Sequence, residues 1–142
     1  MKSHVYFNCS LLVAVFLVGY VLAEGANETN HRFLETVDCI STSGNKVYCE
    51  IFVNQCIYAL PEMVKEYYRY CLDRLFPDGR GTCKNGEELY KSAEKRKQLD
   101  FCIRYNTRGR DMSESDQERV TYFYQCTDYV AQKLGCAVPS SN

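Results

Sequence analysis

The chain has 142 residues, a formal net charge of −1, and 12 tyrosines but no tryptophan. Its near-neutral charge argues against a general nucleic-acid-binding protein, which would carry a clear excess of lysine and arginine. Its length fits one domain behind a short N-terminal segment.

Residues 1–23 have the pattern of a secretory signal peptide. Lys2 precedes a long run without charge, and the run ends with Val21 and Ala23 at the two positions that a signal peptidase recognises. A membrane anchor is the alternative, because the run is close to the ~20 residues of a spanning helix. The cleavage site favours a signal peptide over a membrane anchor. We therefore predict a secreted, extracellular protein with one domain at 24–142 and no membrane span in the mature chain.

The cysteines predict four disulfides. Cys9 belongs to the signal peptide, and the remaining eight are an even number, as expected of a short secreted chain. Zinc is the competing explanation, but zinc sites favour close pairs such as C-x2-C, whereas the tightest spacing here is C-x6-C. We predict no metal site. The eight cysteines assigned to disulfides are Cys39, Cys49, Cys56, Cys71, Cys83, Cys102, Cys126 and Cys136.

Three helical stretches follow the signal peptide. Asn30 is a candidate cap for the first helix, which the polar segment STSGN ends. The second is predicted from about Lys46 to Leu60, because its apolar residues recur at helical spacing. Pro61 then opens the third, at a position where its missing N–H has no cost.

Two more helices complete the prediction. The fourth is expected over about 87–105, and Ser115 with Glu118 has the spacing of a capping box for the fifth. Gly135 closes this last helix as a C-terminal cap. No stretch alternates with period two for long enough to predict a strand. The fold class is therefore all-α, a compact bundle of about five helices stapled by four disulfides.

One disulfide pairing follows from the predicted helices. The second and third helices are almost directly connected, so they should form an antiparallel hairpin in which Cys49 faces Cys71. This favours a Cys49–Cys71 bond. Cys39 also lies opposite Cys49 across the preceding turn, so a Cys39–Cys49 bond is the alternative.

Aromatic residues lie beside cysteines in two similar stretches, EYYRYC at 66–71 and TYFYQC at 121–126. A shared buried stripe explains their position, because disulfides form where helices meet and bulky side chains fill the space around them. Tyrosine also has a hydroxyl that needs a partner or water, so some of these residues are candidates for a pocket or a contact surface. The candidate ligand-binding residues are Tyr67, Tyr68, Phe123 and Tyr124. Of these, Tyr67 and Phe123 are expected to approach the same interior space.

The sequence contains few candidates for catalytic residues. A hydrolase that pairs a nucleophile with a base usually needs a histidine, and His31 is the only one after the signal peptide. We predict no enzymatic activity and no cofactor. Asn27 lies in a sequon, so we also predict N-glycosylation there.

Two basic clusters lie in the second half of the chain. The first is KSAEKRK at 91–97, and the second consists of Arg104, Arg108 and Arg110. Each is either an ordinary solvated helix face or a surface for an anionic partner. No specific nucleic-acid partner is predicted.

The overall layout resembles that of small secreted helical proteins of insects, the odorant-binding protein superfamily and its salivary relatives. The shared features are a signal peptide, a similar length, five or more helices, and a last helix with one cysteine inside it and another just after it. Here these are Cys126 and Cys136. The pair of cysteines separated by three residues that marks the third helix of that family is absent.

Two functions fit these observations. The first is a secreted, non-enzymatic carrier or scavenger of small hydrophobic or amphipathic ligands, with an interior pocket lined by tyrosines and aliphatic residues. The alternative is a secreted salivary or venom effector that binds a host protein or an anionic surface through exposed aromatic and arginine side chains.

The disulfides give the first testable prediction. Reduction of the secreted protein should raise its intact mass by the eight hydrogens that the eight cysteines gain. A free thiol detected in the unfolded but unreduced protein would contradict the assignment.

Overall fold

A computed structural model describes residues 30–136. The predicted signal peptide at 1–23 and the Asn27 sequon lie outside the described residues, so both remain predictions. The chain separates into two units, Met1–Phe33 and Leu34–Asn142. Of the first unit only residues 30–33 are described, and they are helical. Within the described part of the chain, no helix combines the length and the apolar character needed to cross a membrane.

Residues 30–136 contain five α-helices and no strand, which confirms the all-α fold class. In chain order they are α1 at 30–42, α2 at Lys46–Ile51, α3 at Glu62–Leu75, α4 at Ala93–Thr107 and α5 at Glu114–Lys133. Helix α3 packs mainly against α4, and α5 packs against the segment that joins α2 to α3. Val64, Cys71 and Leu99 are among the buried residues of α3 and α4.

The predicted second helix is α-helical only in its first half. After α2 the chain continues as a π-helical turn, Phe52–Cys56, and a 3-10 turn, Ile57–Ala59. The Ile57 N–H donates to the carbonyl of Phe52, five residues back, so this turn is wider than an α-helical one. The side chains after it are therefore rotated relative to those of a continuous α-helix.

The expected Cys49–Cys71 bond is wrong. Cys49 bonds Cys83 in the loop after α3, and Cys71 bonds Cys102 of α4. The Cys39–Cys49 alternative is wrong as well, since Cys39 bonds Cys136. The prediction assumed a straight hairpin in which α3 packs on α2. In the structure, the main packing partner of α3 is α4.

All eight predicted cysteines are paired, which confirms the four disulfides. Beyond the three bonds already described, Cys56 of the π-helical turn is joined to Cys126 of α5. Each of the five helices therefore contains one cysteine bonded to a distant segment. None of the eight sulfur atoms is left as a thiolate ligand for a metal.

Two predicted helix starts need correction. Helix α4 begins at Ala93, where the Ser92 side chain accepts a hydrogen bond from the Lys95 N–H at 3.2 Å. The residues before it cannot be helical, because Tyr90 and Lys91 have φ values of 58° and 65°. Helix α5 starts with a capping box of Ser113 and Asp116, rather than Ser115 and Glu118.

The predicted C-terminal cap at Gly135 is confirmed. Gly135 has a φ of 72°, and its N–H donates to the carbonyl of Gln132 at 3.1 Å. The next N–H, of Cys136, donates to the carbonyl of Ala131 at 2.9 Å. These two bonds form a Schellman motif, which ends the helix and turns the chain. The turn places Cys136 where it reaches Cys39.

Arg96 is a buried cation rather than part of a basic surface. Its side chain is 3% exposed. Its Nε donates to Asp38 of α1, and one Nη atom donates to Glu88 at 2.9 Å and to the carbonyl of Leu89 at 3.0 Å. Such charge-assisted bonds are stronger than neutral ones. Arg96 therefore fixes α1, α4 and the loop between α3 and α4 to one another.

The loop between α3 and α4 approaches itself closely at Gly81. This residue has a φ of +86°, and a Cβ added there would lie 2.1 Å from the carbonyl oxygen of Glu88. Gly79 has a similar φ of +91° but has nothing within 4 Å of the position of an added Cβ. The two glycines thus share a backbone constraint and differ in the space around them.

We predict that Gly81→Ala lowers the free energy of unfolding by more than Gly79→Ala. Both substitutions cost about 1–2 kcal/mol because the backbone is left-handed, but only Gly81→Ala also pushes the loop away from Glu88. Urea denaturation with intact disulfides would measure the difference, with Gly79→Ala as the matched control. Equal losses would show that the Gly81–Glu88 approach has no role in stability.

Candidate binding surface

The predicted ligand-binding residue Tyr68 is buried and already has a partner. Its hydroxyl lies 2.8 Å from the hydroxyl of Tyr90, and the two rings meet edge to face. Only 8% of Tyr68 and 2% of Tyr90 is exposed. Burial raises the pKa of the Tyr68 phenol, and burial followed by the neighbouring Tyr68 raises the pKa of Tyr90 well above its usual value. Each hydroxyl therefore satisfies the other without a ligand.

The other predicted ligand-binding residues lie in different places. Tyr67 is half-buried, and its hydroxyl accepts a hydrogen bond from Arg110 at 3.0 Å on the surface. The hydroxyl therefore lies at the surface and not in the interior space that Tyr67 was expected to share with Phe123. Phe123 is buried with its ring 6.4 Å from Phe52, whereas Tyr124, 5.3 Å from Phe123, is 45% exposed. A ligand-binding role for the four residues remains a prediction.

Many surface tyrosines pair with basic side chains, which sequence analysis missed. A lysine or arginine lies over the tyrosine ring or donates to its hydroxyl in the pairs Tyr58–Lys65, Tyr67–Arg110, Tyr70–Arg74 and Tyr129–Lys133. Two of these pairs have i,i+4 spacing on one helix, the separation at which helical side chains meet. That spacing is the signal that would have revealed them.

Two exposed aromatic rings stand together on the outward side of α4. Phe101 and Tyr105 are 64% and 69% exposed, and their rings stack with centroids 6.0 Å apart and planes at 27°. They are one helical turn apart, so their side chains are neighbours. Exposed aromatic side chains that adjoin one another are typical of interaction sites.

Basic residues surround this aromatic pair. Helical geometry places Lys97 and Arg104 on the same side of α4 as the rings, and Arg108 directly follows the last residue of the helix. All three are exposed. The same geometry places the exposed Glu94 on this side, two turns before Phe101. We call this surface the α4 face, and its members are Lys97, Phe101, Arg104, Tyr105 and Arg108.

Charges on the α4 face are only partly neutralised. The Nε of Arg104 lies 2.9 Å from a carboxylate oxygen of Asp100. Within residues 30–136, Lys97 and Arg108 take part in no such ion pair. Tyr124 of α5 borders this region: burial raises the pKa of its phenol, Asp100 raises it further, and Arg104 opposes the shift. The face thus presents two aromatic rings among cationic groups.

The comparisons with known proteins give one result. Residues 27–137 match a protein family described as Hi1a-like, U10-hexatoxin-Hi1a. This match extends over well more than half of the chain. No curated protein and no solved structure gives a match.

The family match does not support the resemblance to the odorant-binding superfamily, nor an insect source. That resemblance relied on the number of helices and on the positions of Cys126 and Cys136. Disulfide-stapled helical bundles share such a layout because cysteines must lie where helices meet.

The buried tyrosine pair gives a stability prediction. Tyr68→Phe leaves the Tyr90 hydroxyl buried without its partner and should cost about 1–3 kcal/mol. Replacing both tyrosines by phenylalanine should cost less than the single change, because no unpaired hydroxyl then remains. Urea denaturation would measure both, with the exposed Tyr70→Phe as control. A double variant less stable than Tyr68→Phe would contradict the pairing.

The same pair predicts a loss of stability in alkali. The folded-state pKa of each phenol is raised, so the unfolded chain releases these protons first, near pH 10. The free energy of unfolding that the tyrosine pair contributes is therefore fully present below about pH 10. It is lost as the pH rises toward the folded-state pKa. We expect a shallower alkaline loss in the double phenylalanine variant, measured by thermal unfolding between pH 8 and 11.

Proposed function

The chain belongs to the Hi1a-like family, and on that premise we propose that it is a secreted, toxin-type effector that binds a protein of a target organism. This is the alternative function of the sequence analysis rather than the carrier. The family, described as U10-hexatoxin-Hi1a, supports it. Four disulfides support secretion, because such bonds persist in oxidising compartments.

The observation on which this proposal depends is the exposed Phe101–Tyr105 stack. The effector hypothesis expects aromatic and arginine side chains on the surface, and these two rings are more than half exposed beside Arg104. The carrier hypothesis expects an interior pocket lined by tyrosines, in which a ligand would be the partner of an inward tyrosine hydroxyl. Tyr68 has its partner in Tyr90 instead, which removes that argument.

The proposed action needs no catalytic step. His31 is the single histidine after the predicted signal peptide, so a nucleophile–base pair of the usual kind is hard to assemble. The effector would act by occupying a surface of its target. Its affinity would then depend on a few aromatic and arginine residues and on a rigid presentation of them.

Binding to intact animal cells tests the proposal. The fluorescently labelled, oxidised protein should bind saturably, an excess of unlabelled protein should displace it, and brief protease treatment of the cells should abolish binding. The same chain, reduced and alkylated, is the control for non-specific adhesion. Absence of saturable binding would contradict an effector that binds a cell-surface protein. A small molecule retained in native mass spectrometry would favour the carrier.

A further inference from the structure

We infer that the α4 face is the surface that contacts the target, and that it fits an acidic protein surface with a recess for two aromatic rings. This inference rests on the proposed function and adds to it the binding residues and the chemistry of the partner.

The aromatic pair has the properties of an interface anchor. Aromatic side chains and arginine are enriched among the residues that dominate binding energy. Phe101 and Tyr105 already stack on each other, with ring centroids 6.0 Å apart. Their side chains would therefore lose little rotamer freedom when a partner binds. The exposed rings would lose their contact with water in a recess of the partner, which is the main source of hydrophobic affinity.

The helix beneath the rings is held rigidly. The Cys71–Cys102 disulfide fixes α4 to α3 immediately next to Phe101. Arg96, five residues before Phe101, is anchored by its bonds to Asp38 and Glu88. A surface fixed in this way needs little reorganisation on binding, which favours affinity.

The charges of the α4 face identify the partner chemistry. Three described lysines lie in ion pairs within the chain: Lys46 with Glu50, Lys65 with Glu62, and Lys91 with Glu87. Among the described residues, Lys84, Lys95 and Lys133 resemble Lys97 in having no ion pair, but they do not adjoin an exposed aromatic pair. Within the described residues Lys97 and Arg108 have no such carboxylate, and they lie on either side of the aromatic pair. Lys97 lies in α4 and Arg108 directly follows its last residue, so the two are separated by about 16 Å in the direction of the helix axis. A complementary surface therefore has carboxylates on both sides of its recess.

A protein fits this face better than a lipid bilayer does. Helices that lie in a membrane interface need a broad apolar face along their length. The α4 face has two aromatic side chains and no aliphatic one, with Lys97, Arg104 and Arg108 between and beside them. Its compact apolar centre with a charged rim is the arrangement found at protein interfaces.

The test uses two pairs of substitutions in the full oxidised chain, assayed by displacement of labelled wild-type protein from cells. Phe101→Ala with Tyr105→Ala should weaken binding about tenfold or more, the effect expected of hot-spot residues. Lys97→Glu with Arg108→Glu should also weaken binding, chiefly through slower association, and should reduce its salt dependence.

Matched controls come from α5. Tyr122 and Tyr129 are 55% and 53% exposed, so Tyr122→Ala with Tyr129→Ala removes comparable aromatic surface. Arg119→Glu with Lys133→Glu reverses two charges on the same helix. Both control variants should bind within about twofold of the wild type, which is the ordinary effect of residues outside a hot spot. Circular dichroism and thermal unfolding would establish that all four variants are folded.

The outcomes separate this inference from the proposed function. Saturable, protease-sensitive binding that both α4 variants retain would overturn the α4 face and leave the proposed function intact. Binding lost equally in the α5 controls would also overturn it. Absence of saturable binding by the wild type would overturn both. Binding of the wild type, but not of the α4 variants, to phosphatidylserine vesicles or to heparin would replace the protein partner by an anionic surface.

Discussion

Covalent cross-linking is the constraint on which the rest of the structure depends, because every helix of the described chain is bonded to a segment distant in sequence. The Cys39–Cys136 bond spans 97 residues, and a loop of that size restricts the unfolded chain by about 4–5 kcal/mol in the entropic account. The other three bonds lie within that loop, so their effects are not independent. With this support the fold does not need to bury every large side chain. It can leave Phe101 and Tyr105 in solvent.

The loop between α3 and α4 shows how the remaining interactions act together. It has no regular secondary structure, yet it is fixed at Cys83 by the disulfide to α2 and at Leu89, whose N–H donates to the carbonyl of Ser41 at 3.1 Å. Tyr90 reaches Tyr68 of α3, and Glu88 reaches Arg96 of α4. The strained φ at Tyr90 is tolerated because these contacts hold it in place. The same contacts orient α4 and therefore the face that we propose for binding.

Sequence analysis could predict the features that depend on local pattern. Helical periodicity gave the fold class, an even cysteine count gave the disulfides, and Gly135 gave a helix end. It could not predict features set by distant contacts. Helical spacing places Arg96, but not Lys97, on the same side as Leu99 and Ile103. The partners of Arg96 could not be predicted, because Asp38 and Glu88 come from other elements. The Cys49 partner was missed because Cys83 lies in a loop whose position depends on the packing of α3 against α4. The exposed aromatic pair on α4 could not be predicted either, because the side of α4 that faces solvent depends on how the helix packs against α3.

The burial of Arg96 also bears on resistance of the chain to proteases. Lys95, Arg96 and Lys97 form a run of basic residues of the kind that processing and digestive proteases cleave. Such an enzyme must draw the chain into an extended shape and take a basic side chain into its specificity pocket. Arg96 is 3% exposed and lies inside α4, so cleavage there requires this part of the helix to open first. The ion pairs that hold α4 against α1 thus also shield this run from proteolysis for as long as the fold is intact.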